Sequence, residues 1–197
     1  MSPATLVLDR PLPRVRVQAA ACACAVVGAV AVPQLFHAAG TLLGLGTGLG
    51  ETFLPMHLPI LIVGLLAGPW AGLVAGALGP LASFALSGMP VAAMLPFMVV
   101  ELAVYGLVAG LLRGVRGPVL AKVLVAQLAG RLTRAAVLAV AGVVLAGSVP
   151  PAASVLAATM AGIPGLCLQW LLVPAAVLAA DRLSRANGEG PVAGDAR

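Results

Sequence analysis

Apolar residues fall into six runs separated by short breaks. The runs cover about 16–37, 56–68, 70–87, 94–112, 119–147 and 152–181. Most are close to or longer than the ~20 residues needed to cross a bilayer; the second is short and stops at Gly68-Pro69. The breaks carry turn chemistry: Gly68-Pro69, Gly88-Met89-Pro90, Arg116-Gly117-Pro118 and Pro150-Pro151. No long linker or second domain interrupts the series. The pattern predicts an all-α integral membrane protein: a cytoplasmic N-terminal segment over 1–15, six transmembrane helices within 16–183, and a polar, disordered cytoplasmic tail over 184–197.

Composition agrees. The 197 residues are 61% hydrophobic and 9% charged, with a mean hydropathy of +1.12. A soluble domain carries roughly 25% charged residues, so this chain has too few to coat a globule. Its Gly 24 and Pro 16 would harm soluble helices, whereas in a bilayer they allow close helix contacts and broken helices. The net charge of +5 is not a nucleic-acid signal, because the basic residues sit in small clusters between apolar runs. Arg10, Arg14 and Arg16 precede the first run. Arg113, Arg116 and Lys122 lie between the fourth and fifth, and Arg182, Arg185 and Arg197 follow the sixth. Six spans put all three clusters on one side, the cytoplasm by the positive-inside rule, with both termini there. A competing reading takes the N-terminal basic residues, apolar run and Ala29-Val30-Ala31 as a cleavable signal peptide; five spans would then split the clusters between the two sides.

Polar residues inside the runs are few. Arg131 lies in mid-run, where an arginine costs at least ~2.5 kcal/mol, so its guanidinium is expected to face a carboxylate, a cavity or an anionic ligand. Gln127, Arg131 and Arg134 follow i, i+4, i+7 spacing and share a helix face. Glu101 and Tyr105 are paired i, i+4 in the fourth run, and Glu101 sits about 10 Å below the outer end of its helix. Glu101 and Arg131 are expected either to form a buried ion pair that closes the bundle or to touch a ligand, with Arg134 a spare cation. Ser83 and Ser87 are a further i, i+4 pair, of the kind that commonly bonds back to its own helix. Gln169 and Trp170 follow a Gly162-Ile163-Pro164-Gly165 break, which frees backbone groups that need buried partners. His57 stands at the outer mouth of the second run and His37 near the same surface; two histidines without a third ligand make a weak metal case.

Small residues form seams at Gly64, Gly68, Gly72 and Gly76, at Gly106 and Gly110, and along the first run at Ala21, Ala25 and Ala29. Such seams serve helix packing within a chain or docking to another. Lys122 is the single lysine and no GxxxxGK[ST] surrounds it, so ATP is not bound here by a P-loop. HExxH, GxSxG and a metal-binding carboxylate cluster are absent. Cys22, Cys24 and Cys167 read as apolar fillers. No catalytic residue, metal site or cofactor is expected.

The run from PMHLPILIVGLLAGPWAGLVAGALGPLASFALSGMP through LPFMVVELAVYGLVAGLL and AGRLTRAAV to GIPGLCLQWLLVP resembles the substrate-binding S component of energy-coupling-factor (ECF) vitamin transporters. It is most similar to the subgroup with pantothenate and hydroxymethylpyrimidine components. The resemblance covers about Phe53 to Pro174 and implies a six-helix bundle in the prokaryotic cell membrane. A vitamin site would lie near the outer face, under loops at Glu51–His57, Gly88–Met94 and Gly147–Pro151. Implied partners are a membrane coupling (T) subunit and two cytoplasmic ATPases, which would use the ATP. By matching position, His57, Met89, Glu101, Tyr105, Arg131 and Gln169 are the implied substrate contacts, and Ala21, Ala25 and Ala29 the implied docking surface. One departure is Val91, where many relatives carry a second proline after GMP. A carboxylate-bearing ligand such as pantothenate suits one fixed arginine; a pyrimidine or pyridoxine-like ring suits a cavity neutralised by Glu101. Two other classes stay open: a stand-alone secondary transporter using Glu101 for proton coupling, and a non-transporting scaffold held by Glu101 and Arg131.

Overall fold

The computed structural model describes residues 12–46, 48–145 and 149–186, and no strand occurs among them. Eight helices follow in order: α1 (Val15–Leu42), α2 (Gly48–Phe53), α3 (His57–Ala67), α4 (Pro69–Ser87), α5 (Leu95–Leu111), α6 (Val119–Val144), α7 (Ser154–Ala161) and α8 (Ile163–Ala186). The turn residues act as their chemistry predicts. Gly68, at φ 104°, turns the chain between α3 and α4, and Pro69 opens α4 where no N–H is needed. Gly88 closes α4 in the left-handed conformation, its N–H returning to Phe84 O.

Five stretches are long and apolar enough to cross a membrane: Val15–Leu42, Gly48–Ala67, Pro69–Ser87, Val119–Val144 and Ile163–Ser184. The fourth expected span, α5, has 17 residues and rises about 25 Å, short of the ~30 Å hydrocarbon core. This shortest segment is the central one, packed on α3, α4 and α6. Three features depart from the expected ones. The first helix runs on to Leu42, the outer loop after it folds partly into α2, and the tail expected from 184 is helical to Ala186. The expected break at Gly162 divides the sixth run into α7 and α8. Residues 1–11 and 187–197, including Arg10 and Arg197, lie outside the described residues.

The glycine seams are used within the chain. A Cβ on Gly72 would overlap the carbonyl of Gly106, one on Gly106 would overlap Gly72, and one on Gly76 would overlap Leu102 O. A Cβ on Gly110 would meet Pro69, and one on Gly64 would come within 2.5 Å of Gly106 O. The backbones of α4 and α5 therefore touch, and α3 reaches the same carbonyl. Close approach of this kind holds helices together in lipid, where apolar side chains gain little by leaving the hydrocarbon.

The alanine seam of α1 is likewise occupied. Ala25 packs with Val63, Ala67, Ala71 and Ala75, and Ala21 leans on that cluster. Ala29 is fully buried, and a Cβ on Gly79 would lie 3.1 Å from its methyl. Of the expected docking residues, Ala25 and Ala29 are buried against α3 and α4 of the same chain, and Ala21 is half-buried. Elsewhere along α1, Val17, Val27 and Leu35 are exposed. On α6, Leu124, Leu128 and Leu132 point outward while Val123, Gln127 and Gly130 point in, the arrangement that keeps polar atoms out of lipid.

Gly106→Ala should destabilise the bundle by about 1–3 kcal/mol, because the methyl meets rigid backbone rather than a yielding side chain. Gly114→Ala, where a Cβ meets nothing within 4 Å, is the matched control. A large fall in unfolding temperature in detergent for the first, and little change for the second, checks the seam.

Candidate functional site

Tyr105 projects from α5 against Gly130 of α6, where a Cβ would overlap its ring. That contact sets the register of two antiparallel neighbours. Four residues toward the far end of α5 stands Glu101; four residues the same way on α6 stands Arg134. They meet: Arg134 Nη1 donates to Glu101 Oε2 at 2.8 Å, with side-chain exposures of 15% and 2%. Tyr105 Oη donates to Glu101 Oε1 at 3.4 Å. The expected pair of Glu101 with Arg131 is not the one that forms. Arg131 is three residues, about 60° of helix rotation, from Arg134, and its Nη1 donates to Thr159 Oγ1 of α7 at 2.6 Å. Nearer the start of α6, Lys122 is buried and donates to Arg113 O at 3.0 Å.

Beside this pair lies a cavity of about 440 Å³, within the range of small-molecule sites. It occupies the end of the bundle away from Arg113 and Lys122. Pro33 and His37 of α1, Glu51 of α2, and the corner from Leu54 to His57 form one side. Ser83, Met89, Pro90, Met94 and Met98 form another, and Arg134, Ala158 and Ala161 complete the wall. Of the expected contacts, His57 and Met89 line the cavity. Glu101 and Tyr105 stand behind it: Glu101 holds Arg134, and the Tyr105 ring lies 5.2 Å from that of His57. Arg131 and Gln169 are off the wall. Gln169 belongs to a buried chain in which Trp170 Nε1 donates to Gln127 Oε1 at 2.8 Å and Gln127 Nε2 to Gln169 Oε1 at 2.8 Å.

His57 Nδ1 lies 3.2 Å from Leu54 O. A carbonyl only accepts, so Nδ1 carries the proton and Nε2 is left as an acceptor. Ser87 Oγ returns to Ser83 O at 2.7 Å, the local bonding expected of that pair. Arg134 Nη2 finds only the thioether of Met94, at 3.7 Å, and its Nε is buried without a hydrogen-bond partner. The edge formed by Nε and Nη2 therefore holds no oxygen acceptor. His37 Nδ1 is also buried without a partner. Among the described residues, no group of three or more His, Cys, Asp or Glu is placed to hold a metal ion.

The chain matches the family model of the ECF transporter, substrate-specific component, over residues 21–177. It belongs to that family. Neither a curated protein nor a solved structure matches it significantly. The matched stretch begins within α1 and ends within α8, so it takes in every element that walls the cavity. As an ECF substrate-specific component the chain is a transporter subunit, and components of this family work with a membrane T subunit and ATPases.

Sequence reasoning passed over Arg134 and Met98 as wall residues, placed Met94 only within a covering loop, and gave His37 little weight. Arg134 could have been chosen from the matched offsets Glu101–Tyr105 and Gly130–Arg134, large opposite small. Arg134→Met leaves the Glu101 charge buried and unpaired, and should cost the ECF component about 3 kcal/mol of stability. Adding Glu101→Gln should recover part of that loss, while Arg131→Met should cost less than Arg134→Met. A double-mutant cycle of unfolding free energies checks all three.

Proposed function

We propose that this substrate-specific component captures a vitamin or vitamin precursor from the outside in the cavity beside Arg134. It then passes the nutrient to a membrane coupling subunit driven by two cytoplasmic ATPases. The observation that carries the reading is Arg134 on the cavity wall, fixed by Glu101 through one nitrogen and leaving its Nε and Nη2 edge without an oxygen acceptor. A guanidinium edge of this kind is shaped for two parallel bonds to a carboxylate. Pantothenate, small and carrying one carboxylate, is the first candidate.

Orientation supports capture from outside. Leu12 lies against Gly68 at the α3–α4 turn, and Arg113 Nε donates to Leu65 O at 3.3 Å beside it. The basic clusters at Arg14, Arg113 and Lys122 therefore gather at the end opposite the cavity, which the positive-inside rule makes cytoplasmic. Six crossings, with the short α5 shielded by its neighbours, keep both termini there.

A second reading rests on the same ion pair. Glu101 neutralises Arg134 at 2.8 Å, so a neutral pyrimidine or pyridoxine-like ring, hydrogen-bonded rather than ion-paired, also suits the site. Proton-coupled transport by this chain alone is less well supported, since Glu101 is committed to Arg134 and Tyr105 and does not line the cavity.

Native mass spectrometry of gently purified protein should show one retained small molecule, and its mass separates the two ligand classes. Arg134→Lys keeps a cation opposite Glu101 but removes the fork. It should weaken pantothenate binding by about 1.4–2.8 kcal/mol, some 10- to 100-fold in Kd by calorimetry. Unchanged affinity in a folded Arg134→Lys protein would remove the carboxylate reading.

A further inference from the structure

Leu54 is the one non-glycine residue with positive φ among those described, at 47°. A residue with a Cβ adopts that region only when its surroundings hold it there. Leu54 lies on the cavity wall, at the corner between α2 and α3. Its carbonyl receives His57 N–H at 3.2 Å, His57 Nδ1 at 3.2 Å and Gln169 Nε2 at 3.4 Å. The first two are local. The third comes from α8, across the bundle. The break at Gly162 and Gly165 makes room for this approach: a Cβ on Gly162 would lie 2.6 Å from Leu54 Cδ1, and one on Gly165 would overlap Phe53.

Gln169 is fully buried and Gln127 nearly so. A pair of amides bonded to each other would suffice to join α6 to α8. Here the pair is extended in both directions, to Leu54 O at one end and to the Trp170 indole at the other. Buried amides left without partners are costly in so apolar a setting. Moving the corner therefore disturbs each link in turn.

We propose that Gln169 is a positioning residue of the binding cavity. By holding the Leu54 carbonyl it sets the corner that presents His57 to the cavity, and Gln127 carries any displacement of that corner to Trp170. The role goes beyond the choice of nutrient, resting only on the cavity being the binding site. The indole is then a built-in reporter of occupancy that does not itself line the cavity.

A covalent occupant tests this without the natural ligand. The full chain carries Trp70→Phe, which removes the only other tryptophan (69% exposed), with Cys22→Ala, Cys24→Ala, Cys167→Ala and Met89→Cys. Benzyl methanethiosulfonate is the probe; the introduced thiolate displaces its sulfinate and leaves a mixed disulfide that fills the cavity. Modification should shift the emission maximum of Trp170. Gln169→Met should abolish the shift and speed modification, because the corner is loosened. Gln127→Met, which leaves the Leu54 bond in place, should abolish the shift without changing the modification rate. If Gln169→Met does not fold, Gln127→Met decides. No shift in the parent, or an equal shift in the variants, overturns the proposal. Failure to retain any nutrient would overturn the substrate reading alone, since this probe is not a nutrient.

Discussion

The Tyr105 ring lying on Gly130 is the contact from which the site follows. It fixes how far α5 and α6 are slid past each other, and so which cation meets Glu101. Had the register slipped by one turn, a different α6 residue would stand opposite that carboxylate. Arg134 would then sit in the bilayer without its partner, at a cost no lipid offsets. The neighbouring seam acts in the same direction. Gly72, Gly76 and Gly106 bring α4 and α5 into backbone contact, which leaves α5 little freedom to slide or rotate. A short central helix is held on one side by glycine and on the other by a tyrosine over a glycine, and it carries the carboxylate that holds Arg134.

Rigidity at the centre contrasts with the way the cavity is walled. Its outer parts come from short or irregular pieces: α2, the Leu54 corner, the Gly88–Met94 turn and α7. These are joined to the bundle by single polar ties, Arg131 to Thr159 for α7 and Gln169 to Leu54 O for the corner. Four methionines, Met56, Met89, Met94 and Met98, line the space. Their flexible thioethers adapt to a ligand's shape at low cost. A fixed charged anchor beside an adaptable rim suits a subunit that binds a specific substrate.

Components of the ECF substrate-specific family work with a membrane T subunit and ATPases. The alanine seam of α1 lets that helix lie close on α3 and α4.

Much of this was legible in the chain itself. Hydropathy, Gly-Pro breaks and clustered basic residues depend on local chemistry alone, so they specified a helical membrane bundle and the positions of most turns. The resemblance from Phe53 to Pro174 pointed to the family that the match over 21–177 establishes. Spacing also placed Glu101 and Tyr105 on one face, and marked out the Gly162–Gly165 break. Partnership was a different matter. Arg131 and Arg134 share a helix face and a chemistry, and nothing within α6 separates them. The choice of Arg134 came from the offset between two helices, set by a ring meeting a glycine across the interface. Likewise Gln169 reads as a lone amide in the sequence, and only the folded chain brings it to Leu54, 115 residues earlier. Periodicity reports which way a side chain faces, because the helix is local; what it faces depends on packing between segments distant in the chain, which the bundle alone decides.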